Sequence, residues 1–465
     1  MKKLYTIILL AIVGTIANAQ YTKLLDFAGT SNGSSPIGSL ISDGIFLYGM
    51  TSEGGTNDLG TIFKIKPDGS SYTKLLDFAG TSNGSSPWGS LIFDGTFLYG
   101  MTLKGGTNDL GTIFKITPDG SSYTKLLDFV GTSNGTSPEG SLISDGTFLY
   151  GMTYDGGTSD DGVVFKIKPD GSSYAKLLDF AGTSNGRSPN GSLISDGTYL
   201  YGMTERGGIN NMGVVFKIKP DGSSYTKLLD FAGTSNGTGP MGSLISDGTF
   251  LYGITQLGGT NNMGVVFKIK PDGSSYTKLL DFAGTSNGAY PMSSLISDGT
   301  FLYGMTSEGG TSNYGVIFQI KPDGSSYTKL LDFSGVTNGA NPGYSSLISD
   351  GTSLYGMISA GGANDMGTIF KFQPIGMSVT WNNSEMDFII SPNPFSSLTT
   401  LQTDKIFRDA TLTVYNSFGQ QVKQIKNISG QTIALHRDNL SSGLYFIWLT
   451  EDNKVITTDK LVITD

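Results

Sequence analysis

Short runs of apolar and β-branched residues, separated by glycine-rich turns, follow one another along most of the chain. The clearest example is residues 60–78, in which two such runs flank Pro67-Asp68-Gly69. Proline fixes φ, aspartate bonds back to the backbone and glycine accepts the left-handed conformation, so this stretch predicts a β-hairpin. Beyond the N-terminal segment no stretch carries a helical apolar period of useful length, so we predict a chain essentially without helix.

The hairpin belongs to a unit that recurs seven times. The tyrosine that opens its second strand returns every 51 residues, at Tyr21, Tyr72, Tyr123, Tyr174, Tyr225, Tyr276 and Tyr327. One period contains four strand candidates, residues 21–27, 38–42, 46–51 and 61–66. A solenoid usually has a shorter period, and one sheet of this size cannot bury both of its faces alone. The pattern therefore predicts an all-β fold, a seven-bladed β-propeller of four-stranded repeats.

The order of strands within the unit predicts how the ring closes. If Gly-Ser-Leu-Ile is the innermost strand of each blade, the repeats begin with an outermost strand, residues 21–27. The seventh blade ends after its third strand, residues 368–372, and lacks an outermost one. We expect residues 21–27 to join blade seven and so remove an open edge. The same order places the tight turns on one face of the ring and the two longer loops of every blade on the other.

The first residues of the chain form a different pattern. Lys2 and Lys3 precede the apolar run 5–16, which ends at Ala17-Asn18-Ala19. A basic start, a short apolar run and a small-x-small site predict a signal peptide over residues 1–19, with cleavage before Gln20. The apolar run is too short for a transmembrane helix, and we predict no transmembrane segment in the mature chain.

The repeat pattern also stops near the C-terminus. We assign residues 20–374 to the propeller, 375–387 to a linker and 388–465 to a separate domain. Three strand-like runs within that domain, residues 410–415, 431–435 and 444–449, predict a small β-sandwich. The single histidine, His436, follows the second run, and we expect it to be a solvated surface group.

Composition excludes several classes of function. The net charge of −9 and the pI of about 4.7 argue against a nucleic-acid partner or an anionic membrane surface. The chain has no cysteine and one histidine, which excludes disulfides, histidine-based catalytic triads and His/Cys metal sites in the repeats. We expect no cofactor, no metal and no catalytic residue, and a monomeric protein.

The seven copies differ mainly at three positions of the longer loops. The candidate binding residues at these positions are Trp88, Glu139, Asn190, Tyr154, Asp155, Glu205, Arg206, Tyr314 and Tyr344. A constant scaffold with diversified loops on one face is a common way to build a binding surface, and aromatic residues beside carboxylates suit stacking on sugar rings. The alternative is drift at exposed positions, and the methionines there could equally fill the central channel.

Carboxylates in the same loops leave a catalytic alternative open. Asp160-Asp161 and Glu205 could contribute a pair for glycoside hydrolysis, although loop carboxylates are usually solvated surface groups. The recurrent Asp-Gly pairs, such as Asp43-Gly44, lack the spacing of a calcium-binding loop. Turn chemistry is the better interpretation of these pairs.

The C-terminal domain contains four characteristic segments, namely Ser391-Pro392-Asn393-Pro394-Phe395, residues 414–419, residues 440–446 and residues 460–463. With these segments it resembles the type A C-terminal sorting domain of the type IX secretion system. The resemblance covers about the last 75 residues of the chain. It implies a Bacteroidota-type cargo that crosses the outer membrane through the type IX machinery, which recognises residues 388–465. Such a domain is usually cleaved, and the protein is then released or attached to the cell surface.

The repeats share the motifs Leu47-Tyr48-Gly49-Met50-Thr51, Gly54-Gly55 and residues 60–69. With these motifs they resemble the GloVer tandem repeat, of Gloeobacter/Verrucomicrobia type. Met50 stands where threonine is more usual in that family, which we expect to affect packing only. The resemblance implies an exported protein but brings no established activity and no catalytic residues.

The sequence thus predicts an exported propeller, extracellular or on the outer-membrane surface, that binds an extracellular glycan or protein without catalysis. The rivals are a propeller hydrolase or lyase acting on polysaccharide, and a structural surface protein. Two or three carboxylates at the channel mouth would favour the enzyme, an aromatic groove without them would favour binding, and a flat loop face would favour the structural role.

Overall fold

The computed structural model describes residues 19–374, 388–416, 421–438, 440, 443–451 and 454–464. Within these ranges the chain forms strands and turns and no helix. The predicted signal peptide, apart from its last residue, and the predicted linker 375–387 lie outside the described residues. Nothing in the structure therefore bears on either of them.

Seven antiparallel sheets follow one another along the chain. The strand β1 (Gln20–Asp26) comes before the first blade. Blade one contains β2 (Ser34–Ser42), β3 (Leu47–Glu53), β4 (Thr61–Ile65) and β5 (Thr73–Asp77). Blade two contains β6 (Ser85–Pro87), β7 (Ile92–Phe93), β8 (Leu98–Lys104), β9 (Thr112–Ile116) and β10 (Tyr123–Asp128). Blade three contains β11 (Ile143–Ser144), β12 (Leu149–Thr153), β13 (Val163–Ile167) and β14 (Ala175–Asp179).

The remaining blades repeat this arrangement. Blade four contains β15 (Ile194–Ser195), β16 (Leu200–Thr204), β17 (Val214–Ile218) and β18 (Thr226–Asp230). Blade five contains β19 (Ile245–Ser246), β20 (Leu251–Thr255), β21 (Val265–Ile269) and β22 (Thr277–Asp281). Blade six contains β23 (Ile296–Ser297), β24 (Leu302–Thr306), β25 (Val316–Ile320) and β26 (Thr328–Asp332). Blade seven contains β27 (Ile348–Ser349), β28 (Leu354–Ile358) and β29 (Thr368–Gln373). The predicted all-β propeller fold is confirmed.

The chain ends of the ring meet in blade seven. β1 pairs antiparallel with β29, with Tyr21 opposite Phe372. The Tyr21 hydroxyl donates to the carbonyl of Asn338 at 2.9 Å, as the Tyr72 hydroxyl does to that of Asn32 at 2.8 Å in blade one. The N-terminal strand thus makes in blade seven the contact that a covalently continuous outer strand makes elsewhere.

The innermost strands are shorter than predicted. Only β2 spans the predicted residues 38–42, and from blade three to blade seven the innermost strand is an Ile-Ser pair. In every blade the serine within the predicted segment bonds to the next blade, and even in β2 the pairing with β3 is interrupted between Ile37 and Ile41. The N–H of Ser39 donates to Ser90 Oγ at 2.7 Å, and the series ends with Ser346 N–H donating to Ser39 Oγ at 3.2 Å. Seven such bonds form a closed ring around the axis.

The hydrophobic core lies between neighbouring blades. Tyr48 and Met50 of blade one, for example, pack with Leu98 and Phe114 of blade two. Side chains alternate along a strand, so each of the buried middle strands supplies apolar groups to both of its neighbours. Phe114 packs so closely over the adjacent strand β8 that a β-carbon at Gly100 would lie 2.5 Å from its ring, so glycine is required at that position.

The tight turns are held by their own side chains. Asp43 Oδ1 accepts the N–H groups of Ile45 and Phe46, both at 2.7 Å, and its Oδ2 accepts the Tyr48 hydroxyl at 2.7 Å. Burial, followed by the hydrogen bond to Asp43, raises the pKa of Tyr48. Both oxygens of Asp43 are therefore occupied by the protein, as turn chemistry predicted.

The C-terminal domain is a single curled sheet. It contains β30 (Phe388–Ser391), β31 (Leu398–Asn416), β32 (Gln421–His436), β33 (Gly443–Glu451) and β34 (Lys454–Ile463). β32 pairs along one edge of β31, while β30 and then β33 pair along the other. Register shifts bend the long strand β31, so that Leu401 and Leu412 reach the same core. The small all-β domain is as predicted, but this bending replaces the two sheets of a sandwich with one, and His436 is exposed.

Candidate functional site at the mouth of the axial channel

A cavity of about 200 Å³ lies on the axis of the ring. Its wall is built from the Gly-Ser pairs that precede the innermost strands and from the variable residue before each pair. The variable residues that line it are Trp88, Glu139, Asn190, Met241, Met292 and Tyr344. The residues at the first variable position of the copies therefore face one shared space, which we call the channel mouth.

The channel mouth has an apolar side made by two aromatic rings. The ring centroids of Trp88 and Tyr344 are 5.1 Å apart, and the rings are tilted by 58°. Blade one, which lies between their blades, contributes the buried Ile37 at the same position. The carbonyl of Tyr344 accepts the N–H of Gly38 at 3.1 Å, which fixes the Tyr344 backbone to blade one. Tyr344 itself is partly exposed, so the aromatic pair is accessible from outside.

The part of the wall formed by blades three and four is polar. Asn190 Nδ2 donates to Glu139 Oε2 at 2.6 Å. Burial raises the pKa of Glu139 to about 8, and the charges of Glu205 and Asp155 add to the effect. Glu139 is therefore mostly protonated near neutral pH, and it presents both a donor and an acceptor to the channel.

The second variable position supplies a hydrogen-bonded pair beside this one. The Tyr154 hydroxyl donates to Glu205 Oε2 at 3.1 Å, and burial, followed by the charge of Glu205, raises the Tyr154 pKa to about 12. Arg206 Nε lies 3.2 Å from Glu205 Oε1, with the Arg206 side chain half exposed and that of Glu205 largely buried. The blade-three and blade-four loops thus share one polar network.

Arg187 is a member of this network that sequence reasoning missed. Burial, followed by Asp160, raises the pKa of Asp155, while Arg187 and Arg206 lower it. The backbones of Arg187 and Arg206 pair with each other, and Arg187 Nε is buried without a hydrogen-bond partner among the described residues. The signal was present in the sequence, because the other six copies carry serine, threonine or alanine where Arg187 stands.

Other candidates do not reach the channel mouth. Tyr314 lies over Gly335, about 3.4 Å from where a β-carbon would stand there, and it does not line the cavity. Asp160 Oδ1 accepts the N–H of Gly156 at 2.8 Å and so serves its own turn. Of the candidates, Trp88, Glu139, Asn190 and Tyr344 line the cavity. Tyr154, Asp155, Glu205 and Arg206 form the polar network beside it, and Tyr314 is peripheral.

Within the part of the chain that the structure describes, no group of three or more His, Asp or Glu side chains is arranged to hold a metal ion. Glu139 is instead paired with the Asn190 amide, and Glu205 with the Tyr154 hydroxyl and the Arg206 guanidinium. What the arrangement can do is stack one face of a ligand on Trp88 or Tyr344 and hydrogen-bond the ligand to Glu139 and Asn190.

Most of the chain matches a single repeat family. The Gloeobacter/Verrucomicrobia repeat matches residues 13–148, 143–305 and 287–421. The chain belongs to this family. The repeat family accounts for the ring, while the loops that form the channel mouth are where the copies differ from one another.

A second match covers residues 390–464 and is described as a secretion system C-terminal sorting domain. It confirms the predicted type IX sorting domain, which indicates secretion to the cell surface or the extracellular space. Among the described residues no helix has the length and apolar character needed to cross a membrane. No curated protein matches the chain significantly.

Solved structures share the fold at low identity. The extracellular domain of a hybrid two-component system from B. thetaiotaomicron is 14% identical, with 97% of this chain and 59% of that chain covered and a TM-score of 0.51. A second such domain from the same organism is 12% identical, with 96% and 57% covered and a TM-score of 0.50. An oligogalacturonate lyase in complex with manganese is 10% identical, with 77% and 97% covered and a TM-score of 0.46. This chain spans less than two thirds of the two extracellular domains, and these similarities concern the fold alone.

Proposed function

We propose that the protein is an exported, non-catalytic binding module whose ligand, an extracellular glycan, enters the channel mouth. The observation that carries the proposal is the convergence of Trp88 and Tyr344 with Glu139 and Asn190 on one cavity. Its volume of about 200 Å³ is below the 300–1,000 Å³ typical of sites for drug-sized ligands. A site of that size suits one residue of a longer chain.

The pairing of substitutions argues for selection of a site over drift. Glu139 and Asn190 occupy the same position of neighbouring copies, 51 residues apart, and their side chains bond to each other. Tyr154 and Glu205 also occupy one position of neighbouring copies, and they too are bonded. If each of these surface positions had drifted independently, we would not expect a hydrogen-bonded donor and acceptor at both variable positions of the same two blades.

The test is a pull-down of the mature protein on insoluble polysaccharides, followed by titration with the soluble oligosaccharides. Trp88→Ala removes one of the stacking rings, and we expect it to weaken binding by about 1–3 kcal/mol if stacking is the main contact. Tyr314→Ala is the matched control, since Tyr314 is an exposed aromatic residue that does not line the cavity. Equal binding by both variants would exclude the channel mouth as the site.

A polysaccharide hydrolase is the second candidate, and one observation favours it. Glu139, with its pKa raised to about 8, faces the charge of Glu205 from the neighbouring blade. Glycoside hydrolysis uses a protonated carboxyl group as acid and a second carboxylate as base or nucleophile. Release of reducing ends by the wild type, lost in Glu139→Gln and in Glu205→Gln, would establish the enzyme.

A purely structural surface protein would be expected to have a flat loop face. The recessed channel mouth weighs against that alternative.

A further inference from the structure

We propose that the channel mouth selects a glycan with free amino groups, whose ammonium lies between the aromatic pair and the carboxylates. This inference rests on the proposed glycan-binding function and narrows it to cationic amino sugars. The geometry that carries it is an aromatic corner, Trp88 and Tyr344, that shares one cavity with Glu139. Aromatic faces attract ammonium groups through their quadrupole, and the attraction increases when water is excluded.

The charges around the cavity have the sign that an ammonium requires. The groups that act on Glu139 are Glu205 and Asp155, both acidic. Burial, followed by the charges of Glu139 and Glu205, raises the pKa of Tyr344 on the opposite wall. The two carboxyl groups and the aromatic wall therefore act on the same small space.

The neighbouring cations lie beside the other two carboxylates. Arg206 is ion-paired with Glu205 at 3.2 Å, which offsets part of the Glu205 charge. Arg187 and Arg206 both lower the pKa of Asp155, while neither is among the groups that shift the pKa of Glu139. A ligand cation in the channel mouth would be the positive charge next to Glu139, and it would relieve the repulsion between Glu139 and Glu205.

Binding of an ammonium should therefore be linked to the loss of a proton. At neutral pH Glu139 is mostly protonated because its pKa is about 8. A cation beside it favours the carboxylate, so the complex releases up to about one proton. Affinity therefore rises with pH on the acidic side of neutrality, where the ligand amine is charged, and falls again once that amine loses its own proton. A neutral sugar gives neither effect, since it leaves the protonation of Glu139 as it was.

The experiment is isothermal titration of the mature protein with glucosamine oligosaccharides and with their N-acetylated counterparts. Titrations in two buffers of different ionisation enthalpy count the protons released, and near-physiological salt screens non-specific attraction to the acidic protein. We expect the amino form to bind about tenfold tighter or more than the acetylated form, with proton release. Glu139→Gln should remove the preference and the proton release. Glu308→Gln, which changes an exposed carboxylate in the other long loop of blade six, should retain both.

The other outcomes distinguish a failure of the cationic-ligand proposal from a failure of the glycan-binding proposal. Equal or tighter binding of the acetylated form overturns the cationic ligand but leaves glycan binding in place. A preference for the amino form that Glu139→Gln retains also overturns it, because the selectivity then comes from other charges. Binding of a lysine-rich peptide with no binding of either oligosaccharide overturns both proposals and identifies a protein ligand.

Discussion

Replacing Glu139 by glutamine should change how the stability of the propeller depends on pH. The pKa of Glu139 is raised to about 8 from an ordinary value of 4.5, first by burial and then by Glu205 and Asp155. The folded protein thus holds this proton more tightly than the unfolded chain does. The stabilisation is complete below pH 4.5 and is lost as the pH rises through about 8.

The size of the effect follows from the two pKa values. Each pH unit between them corresponds to about 1.4 kcal/mol. The free energy of unfolding should therefore fall by up to roughly 5 kcal/mol between pH 4.5 and pH 8. Solvent that reaches the channel mouth makes this an upper value. Glutamine keeps an acceptor for Asn190 and carries no charge, so Glu139→Gln should match the wild type at low pH and exceed its stability at pH 8.

The assay is denaturant unfolding of wild type, Glu139→Gln and the exposed control Glu308→Gln across this pH range. The control should follow the wild type, while the Glu139→Gln curve should diverge from both as the pH rises. Parallel wild-type and Glu139→Gln curves would refute the reasoning, because they would mean that Glu139 ionises in the folded protein as easily as in the unfolded chain.

Three further predictions concern the ring itself. Tyr21→Phe and Tyr174→Phe should each lower the free energy of unfolding by about 1 kcal/mol, because each removes one hydroxyl-to-carbonyl hydrogen bond of 2.9 Å. Hydrogen exchange in β29 should become faster only in Tyr21→Phe. Ser90→Ala should lower stability by about 1 kcal/mol in denaturant unfolding, since the N–H of Ser39 then loses its acceptor. Gly49→Ala should cost about 1–3 kcal/mol or more, measured as a drop in Tm, because its β-carbon would lie 2.6 Å from the Phe63 ring.

The ring could be predicted because its determinants are local and repeated seven times. Each Pro-Asp-Gly and Asp-Gly turn fixes a hairpin, and the position of the first strand in the unit indicates where the chain ends meet. β1 lies beside β29, at the place that this reasoning indicates. The short innermost strands could not be predicted in the same way, because the serine ring consists of contacts between blades, which a single repeat does not contain.

The channel mouth could be predicted only as a set of variable positions. Comparison of the copies singles out Trp88, Glu139 and Asn190, but the sequence does not show whether such residues face the axis or the outer loops. Arg187 escaped notice because it precedes the variable position that was compared. The curling of the C-terminal sheet could not be predicted from the sequence either, because the register shifts that bend β31 depend on its partner strands.

The most direct measurement is a crystal structure of the mature protein with the tightest-binding oligosaccharide from the pull-down and titration. The account predicts one sugar residue in the channel mouth, stacked on Trp88 or Tyr344 and within hydrogen-bond distance of Glu139 or Asn190. If the sugar instead lies on the tight-turn face, or over peripheral loops such as that of Tyr314, then the diversified loops do not form a single axial site and the proposed function is wrong.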